Sequence, residues 1–247
     1  PVTHSIVGTI ANGTVKVMSV KVDSYNSVTG DTIFAVDLLK PIDHAGINED
    51  VQVVSFTANA GSLSADITVK VEDDAPSVTA SGTAAATLTV DESDLATNAS
   101  ASFANVFTVN YGADGAGSTA YALNVVNAAS GLIDTATGQA VTMSVVNGQI
   151  VGTAGGNTVF TISVSASGVV TLDQVRAVQH ADGNNANDTV TLAANSISLT
   201  ATATDKDGDK ASQTVNLGAG FVFTDDAPTV TASGTAAATL TVDESDL

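Results

Sequence analysis

The sequence predicts an all-β protein made of β-sandwich modules in tandem, and three observations carry that expectation. A 23-residue block occurs twice: residues 73–95 read DDAPSVTASGTAAATLTVDESDL and residues 225–247 read DDAPTVTASGTAAATLTVDESDL, differing only at Ser77 against Thr229, at an offset of 152 residues. A period that long, copied that closely, marks an array of whole domains. Next, Ile197, Leu199, Ala201 and Ala203 interleave with Ser196, Ser198, Thr200, Thr202 and Thr204, the period of two that belongs to a strand with one buried face. Finally, turn signals separate the apolar runs, at Asn12-Gly13, Asn147-Gly148, Gly155-Gly156-Asn157, Ser167-Gly168 and Asp182-Gly183-Asn184-Asn185. Asn-Gly between two strand-like runs is a strong hairpin signal.

In chain order, β-branched and alternating stretches predict strands at Thr14–Val22, Thr32–Leu38, Val51–Ala58, Asp66–Val71, Thr87–Val90, Val106–Asn110, Ala120–Val126, Val141–Val146 and Val159–Val164. The alternating run around Ile197–Ala203 follows, then Thr214–Leu217 with Phe221–Phe223. Leu172–Val178 reads as the one short helix, with Leu172, Val175, Ala177 and Val178 as a partial apolar face. Many short strands with frequent turns point to a sandwich, and a 152-residue unit exceeds the ~100 residues of the simplest one, so extra strands or long loops are expected.

Running the repeat from one Asp-Asp-Ala-Pro to the next divides the chain into three segments. Residues 1–74 are the back part of a preceding, divergent unit, 75–227 a complete sandwich, and 228–247 the start of the next unit. PIDHAG at 41–46 is similar to AVQHADG at 177–183, and each lies upstream of an Asp-Asp-Ala-Pro. His180 precedes Asp225 by 45 residues but His44 precedes Asp73 by 29, so the first unit is 16 residues shorter there and lacks the acidic loop discussed below. A start without Met and a stop partway into a copy read as a slice of a longer repetitive protein. Ala236–Val242 is then expected to pack as a strand on a neighbouring sheet or against another chain.

Composition excludes several function classes. Seven Lys and Arg stand against 26 Asp and Glu, a net charge of -19, the wrong sign for a phosphate backbone or an anionic membrane surface. The chain has no Cys, hence neither disulfides nor thiolate metal sites. No apolar run approaches the ~20 residues of a spanning helix. Hydrophobic residues make up 44%, enough for a buried core, and the acidic balance suits neutralisation by bound cations.

The sharpest local motif is Asp205-Lys206-Asp207-Gly208-Asp209. In a flat strand these three carboxylates would point one way and repel; around a Gly turn they can converge on one cation. Calcium takes six to eight oxygen ligands at about 2.3–2.6 Å. The loop is not an EF-hand, because its sixth position is Lys210 instead of Gly and its twelfth is Asn216. Further ligands could come from Asp225 and Asp226 at the junction and from Asp243 and Glu244 beyond it; the upstream junction offers Asp73, Asp74, Asp91 and Glu92. A solvated acidic turn followed by Asp-Asp at a strand end is the plainer alternative. The Gly112–Gly117 loop is explained by turn chemistry, with Asp114 as a further acidic group. The Thr200–Thr204 face reads as an ordinary exposed strand.

For catalysis the chain offers His4, His44 and His180 and neither a nucleophile elbow nor a His-Glu-x-x-His. His44 and His180 hold matching places in the two units, which suggests a shared structural role. Nothing in the carboxylate spacing selects an acid/base pair, and an enzyme is not expected.

The chain resembles the extender repeats of giant RTX adhesins exported by type I secretion. The resemblance rests on Asp-Asp-Ala-Pro at 73–76 and 225–228, Val-Asp-Glu-Ser at 90–93 and 242–245, Tyr111-Gly112-Ala113-Asp114-Gly115, Ser130-Gly131-Leu132 and Ala203–Asp209. It covers 73–247 and is weaker over 1–72. It implies immunoglobulin- or cadherin-like modules in a row, Ca2+ near their junctions, and a place outside the cell at the bacterial surface, where the parent protein serves attachment and biofilm formation. The implied partners are neighbouring repeats, with the adhesive ligand bound elsewhere in the parent. The alternative is a calcium-dependent module that itself binds carbohydrate or a partner cell.

Overall fold

The structure is a computed structural model and describes residues 5–10, 15–44, 50–60, 63–226, Gly234 and 244–246. Strands β1 (Ser5–Ile10), β2 (Val15–Tyr25) and β3 (Thr32–Leu38) form one antiparallel sheet, and β4 (Val51–Ala60) pairs with β5 (Leu63–Glu72). Beyond Asp73–Pro76 come β6 (Ser77–Ala80), β7 (Leu88–Asp91), β8 (Ala99–Ser102), β9 (Phe107–Asn110), β10 (Ala116–Val125), β11 (Ala129–Ile133) and β12 (Ala140–Val146). They are followed by β13 (Gln149–Ala154), β14 (Asn157–Val164), β15 (Val169–Gln174), β16 (Thr189–Thr191), β17 (Ile197–Asp205), β18 (Lys210–Asn216) and β19 (Phe221–Thr224). The described residues contain short 3-10 turns but no α-helix.

A six-stranded sheet of order β11-β12-β13-β14-β15-β8 faces strands of β10-β17-β18 and β16-β19-β7, while β6 pairs with β9. This all-β, sandwich-like architecture is the predicted class. Its core spans Val78 to Phe223 and includes Phe103, Phe160, Phe221, Phe223, Ile150, Ile162, Leu172, Ile197 and Leu199, each nearly closed to water. Burying one such side chain stabilises the fold by roughly 1.5–3 kcal/mol. Phe160 and Phe223 meet tilted with centroids 5.5 Å apart, so a few aromatic side chains span a core otherwise built from aliphatic residues, chiefly Val, Leu and Ile. Among the described residues before Asp73, Met18, Val20, Val71 and His44 are buried, whereas Val22, Tyr25, Ile33, Val36, Leu38, Val51 and Val53 remain exposed.

Local chemistry sets the turns. Asn147 and Gly148 adopt φ of 50° and 78° between β12 and β13, the paired positive values that a two-residue hairpin matching the strand twist requires. On β17 the apolar set Ile197, Leu199, Ala201 and Ala203 is fully buried, as the alternation predicts. Ser196 and Ser198 are buried as well. On the other face Thr200 Oγ1 bonds Thr214 Oγ1 and Thr202 Oγ1 bonds Ser212 Oγ, both at 2.8 Å, so the Thr row is satisfied by its neighbouring strand.

The helix expected at Leu172–Val178 is absent. Residues 169–174 form β15, paired with β14 and β8, with Val170, Leu172 and Gln174 buried on one face. Their period is two, and the polar Gln174 disguised it. Asp134 pins the following segment to the sheet. Its carboxylate is fully buried and takes Arg176 Nε and Nη2 at 2.9 and 3.0 Å, plus the Thr137 N–H and hydroxyl. The Arg176 guanidinium, followed by Thr137, pulls its pKa down to about 2.

The sequence-predicted turn Asn12-Gly13, His4, the Ala236–Val242 segment and Asp243 lie outside the described residues.

Candidate metal centre

Strands β17 and β18 bring the acidic motif to a hairpin tip, with Thr204 opposite Lys210. Asp205 folds the loop back on itself: its Oδ1 accepts the Gly208 and Asp209 N–H groups at 3.0 and 2.7 Å, and its own N–H donates to the Asp209 carbonyl at 3.0 Å. Gly208 sits at φ 119°, in the left-handed region that favours glycine. Asp205 and Asp209 are 3% and 2% exposed. Thus Asp205 spends one oxygen on the turn and keeps Oδ2 buried without a hydrogen-bond partner.

Two other segments close on this tip. The junction supplies Asp73, whose Oδ1 accepts the Asp74 N–H at 2.9 Å and whose buried Oδ2 has no partner. The loop between β9 and β10 supplies Asp114, and its Ala113 N–H donates to Asp74 Oδ2. Close approach here depends on two glycines. A Cβ on Gly112 would fall on the Asp74 carboxylate, and one on Gly117 would strike the Thr204 and Asp205 carbonyls. As a result Asp73, Asp114 and Asp207 each place a carboxylate oxygen within 4.8 Å of the others. A crevice lined by Pro41, Asp43, Asp114, Lys206 and Asp207 opens beside them.

Electrostatics show the cost of this convergence. Burial, then Asp205, Asp114 and Asp73, push the Asp207 carboxyl up to about 6. Asp114 is raised too, by burial and by the charges of Asp73, Asp205 and Asp74. Burial pulls the His44 pKa down, but its 2.6 Å contact with Asp50 and the charges of Asp73, Asp50 and Asp114 outweigh this, and the net shift is upward. Buried carboxylate oxygens without donors are costly unless paired or bound to metal. Asp73 Oδ2, Asp205 Oδ2 and Asp207 Oδ1 meet that description. This all-oxygen set fits a hard divalent cation, and the acidic groups can hold a metal ion.

The remaining predicted ligands fall elsewhere. Asp209 and Asp74 belong to the cluster's framework. The structure does not bring Asp225 into the Asp73–Asp114–Asp207 group; it groups Asp225 with Glu92 and His180, because β19 runs beside β7. Asp226 is exposed, its N–H donating to Asp225 Oδ1. Asp91 caps the turn that follows it, accepting the Ser93 N–H at 2.9 Å. Glu92 is buried and accepts from Gln174 Nε2 and the Val178 N–H, both at 2.8 Å. Glu244 begins a 3-10 turn, Glu244–Asp246, and is exposed. Asp114, absent from the ligand set expected from the sequence, joins Asp73 and Asp207; its position between the glycines of Tyr111-Gly112-Ala113-Asp114-Gly115 is the signal for it.

No curated protein and no solved structure matches the chain. A family described as a domain of unknown function (DUF5801) matches residues 87–218, which includes Asp114 and the acidic hairpin. With more than half of its length inside that match, the chain belongs to the DUF5801 family.

Proposed function

We propose that this chain is a structural extender of a large bacterial cell-surface adhesin, stiffened by calcium at the junctions between repeats and serving attachment and biofilm formation. The observation that carries the reading is the company of Asp73. This residue belongs to the junction, yet its carboxylate lies within 4.8 Å of ligand atoms on both sides: Asp114 and Asp207 of the downstream sandwich, and His44 and Asp50 of the upstream unit. A bound calcium ion would supply the positive charge that lets these oxygens approach. Asp73 would then tether the linker to the β17–β18 hairpin, and Asp114 would tether the β9–β10 loop to both. Pro76, buried just beyond, restricts the same linker.

The resemblance to RTX adhesin extenders and the near-identical repeated block support placing such modules in a row outside the cell. Among the described residues no helix is long and apolar enough to cross a membrane.

Thermal unfolding and small-angle scattering of residues 1–247 in calcium, in magnesium and in chelator test the proposal. The expected result is a calcium-specific rise in the midpoint together with a narrower spread of inter-unit distances. Equal curves in calcium and chelator would sink it.

A further inference from the structure

A second cluster has different chemistry. In the parallel pair β7–β19, Asp91 lies opposite Thr224, so the next residues, Glu92 and Asp225, emerge side by side. The segment after β15 brings His180 to them, and the three residues place one ligand atom each within 4.8 Å of one another. The His180 and Glu92 side chains are 2% and 3% exposed, with Nε2 and Oε1 at 3.3 Å. Glu92 is held in place by the Gln174 amide and the Val178 N–H, and the Asp225 N–H donates to the Asp188 carbonyl at 2.9 Å. These are the outer contacts that orient a ligating carboxylate.

The imidazole is incompletely satisfied. His180 Nδ1 is buried and has no hydrogen-bond partner. With the proton on Nε2, Nδ1 keeps a bare lone pair; with it on Nδ1, a lone pair faces the Glu92 carboxylate. In the Nδ1–H form the Nε2 lone pair faces the Glu92 carboxylate at 3.3 Å, and a cation held between the two replaces that repulsion with coordination.

We propose that Glu92, His180 and Asp225 form a site for a borderline divalent cation of the zinc class, separate from the all-oxygen cluster at the upstream junction. One imidazole and two carboxylates with a position left open are a zinc-like donor set, whereas calcium asks for six or more oxygens. The juxtaposition recurs one unit earlier. The match is partial: His44 and Asp73 correspond to His180 and Asp225, but Asp50 stands where Glu92 would, and Asp73 is shared with the all-oxygen cluster; there the Asp73 N–H donates to the Asp50 carbonyl at 3.0 Å.

Isothermal titration of Zn2+ into the 1–247 chain, with calcium saturating, tests the site. Wild type is expected to show a Zn2+ binding event that weakens at least about tenfold in His180→Gln and in Asp225→Asn and survives in His44→Gln. Co2+ should give visible absorption bands that disappear in His180→Gln. Should His180→Gln fail to fold, Asp225→Asn, at the rim of the group, carries the test. Identical Zn2+ isotherms in wild type and folded variants, or no binding below millimolar Zn2+, would overturn the proposal. So would a folded His180→Gln that loses its calcium response together with the zinc one.

Discussion

Asp73 and Asp225 share a backbone contact 152 residues apart: each donates its backbone N–H to the carbonyl of an aspartate that immediately precedes a strand, Asp50 at 3.0 Å and Asp188 at 2.9 Å. Each also stands within ligand distance of a histidine, His44 or His180. The 16-residue difference in spacing is therefore absorbed before Asp73 and Asp225, whose backbone N–H groups are anchored alike.

Removing one charge from the upstream cluster separates repulsion from ion binding. Asp207→Asn is expected to raise the melting midpoint in chelator, on the order of 2–4 °C, because it relieves the burial and like charge that lift the Asp207 pKa. The same variant should lose most of the midpoint gain in calcium. Calorimetry in both buffers measures the two effects.

The cluster also fixes a pH dependence. The Asp207 pKa rises from 3.8 to about 6 in the folded chain, so its contribution favours folding fully below pH 3.8 and is lost as pH rises through about 6. In chelator, stability should fall between pH 4 and 7 from this group. Calcium, which competes with the proton, should flatten that slope. Urea unfolding across the range reads it directly.

Asp134 acts with the opposite sign. Its pKa is depressed from 3.8 to about 2 by Arg176 and Thr137, so its stabilisation is complete above pH 3.8 and is lost as pH falls through about 2. Arg176→Met should lower the thermal midpoint by several degrees by stranding the buried carboxylate. The double variant Arg176→Met with Asp134→Leu should recover much of the loss, since two apolar groups of similar volume replace a buried pair at little cost.

Gly117→Ala tests the closure of the loop on the hairpin. Its Cβ meets the Thr204 and Asp205 carbonyls, and relieving that contact should cost about 1–3 kcal/mol. The calcium response should weaken more than overall stability, because the shift displaces Asp205 and Asp207 relative to Asp114.

Leu172→Ala should cost about 2–5 kcal/mol, while Val175→Ala, at a position 47% exposed, should stay within about 0.5 kcal/mol. A helix would have given both positions one face; the strand separates them. Denaturant midpoints of the two variants decide.

The strands legible in the sequence were those with strong contrast between faces, such as β12 and β17. Those missed, including β8 with Ala99–Ser102, β11 around Gly131 and the three-residue β16, are small-residue or short segments whose burial comes from neighbours. Gln174 hid β15 because its amide is buried against Glu92, which breaks the apolar pattern. At the site, the Asp205–Asp209 turn could be read from spacing alone. Its partners could not: whether Asp73 or Asp225 meets the hairpin depends on Gly112 and Gly117 letting one loop close, and on the parallel register of β7 with β19.

That parallel register, Leu88 to Asp91 beside Phe221 to Thr224, has a mechanical consequence. Under the proposed extender role, tension along a row of such modules would enter ahead of Leu88 and leave beyond Thr224, pulling two parallel strands in opposite directions along their common axis. The hydrogen bonds between them are loaded together in shear instead of opening one after another from an end. The sandwich would thereby be clasped at the two points where an extender carries load.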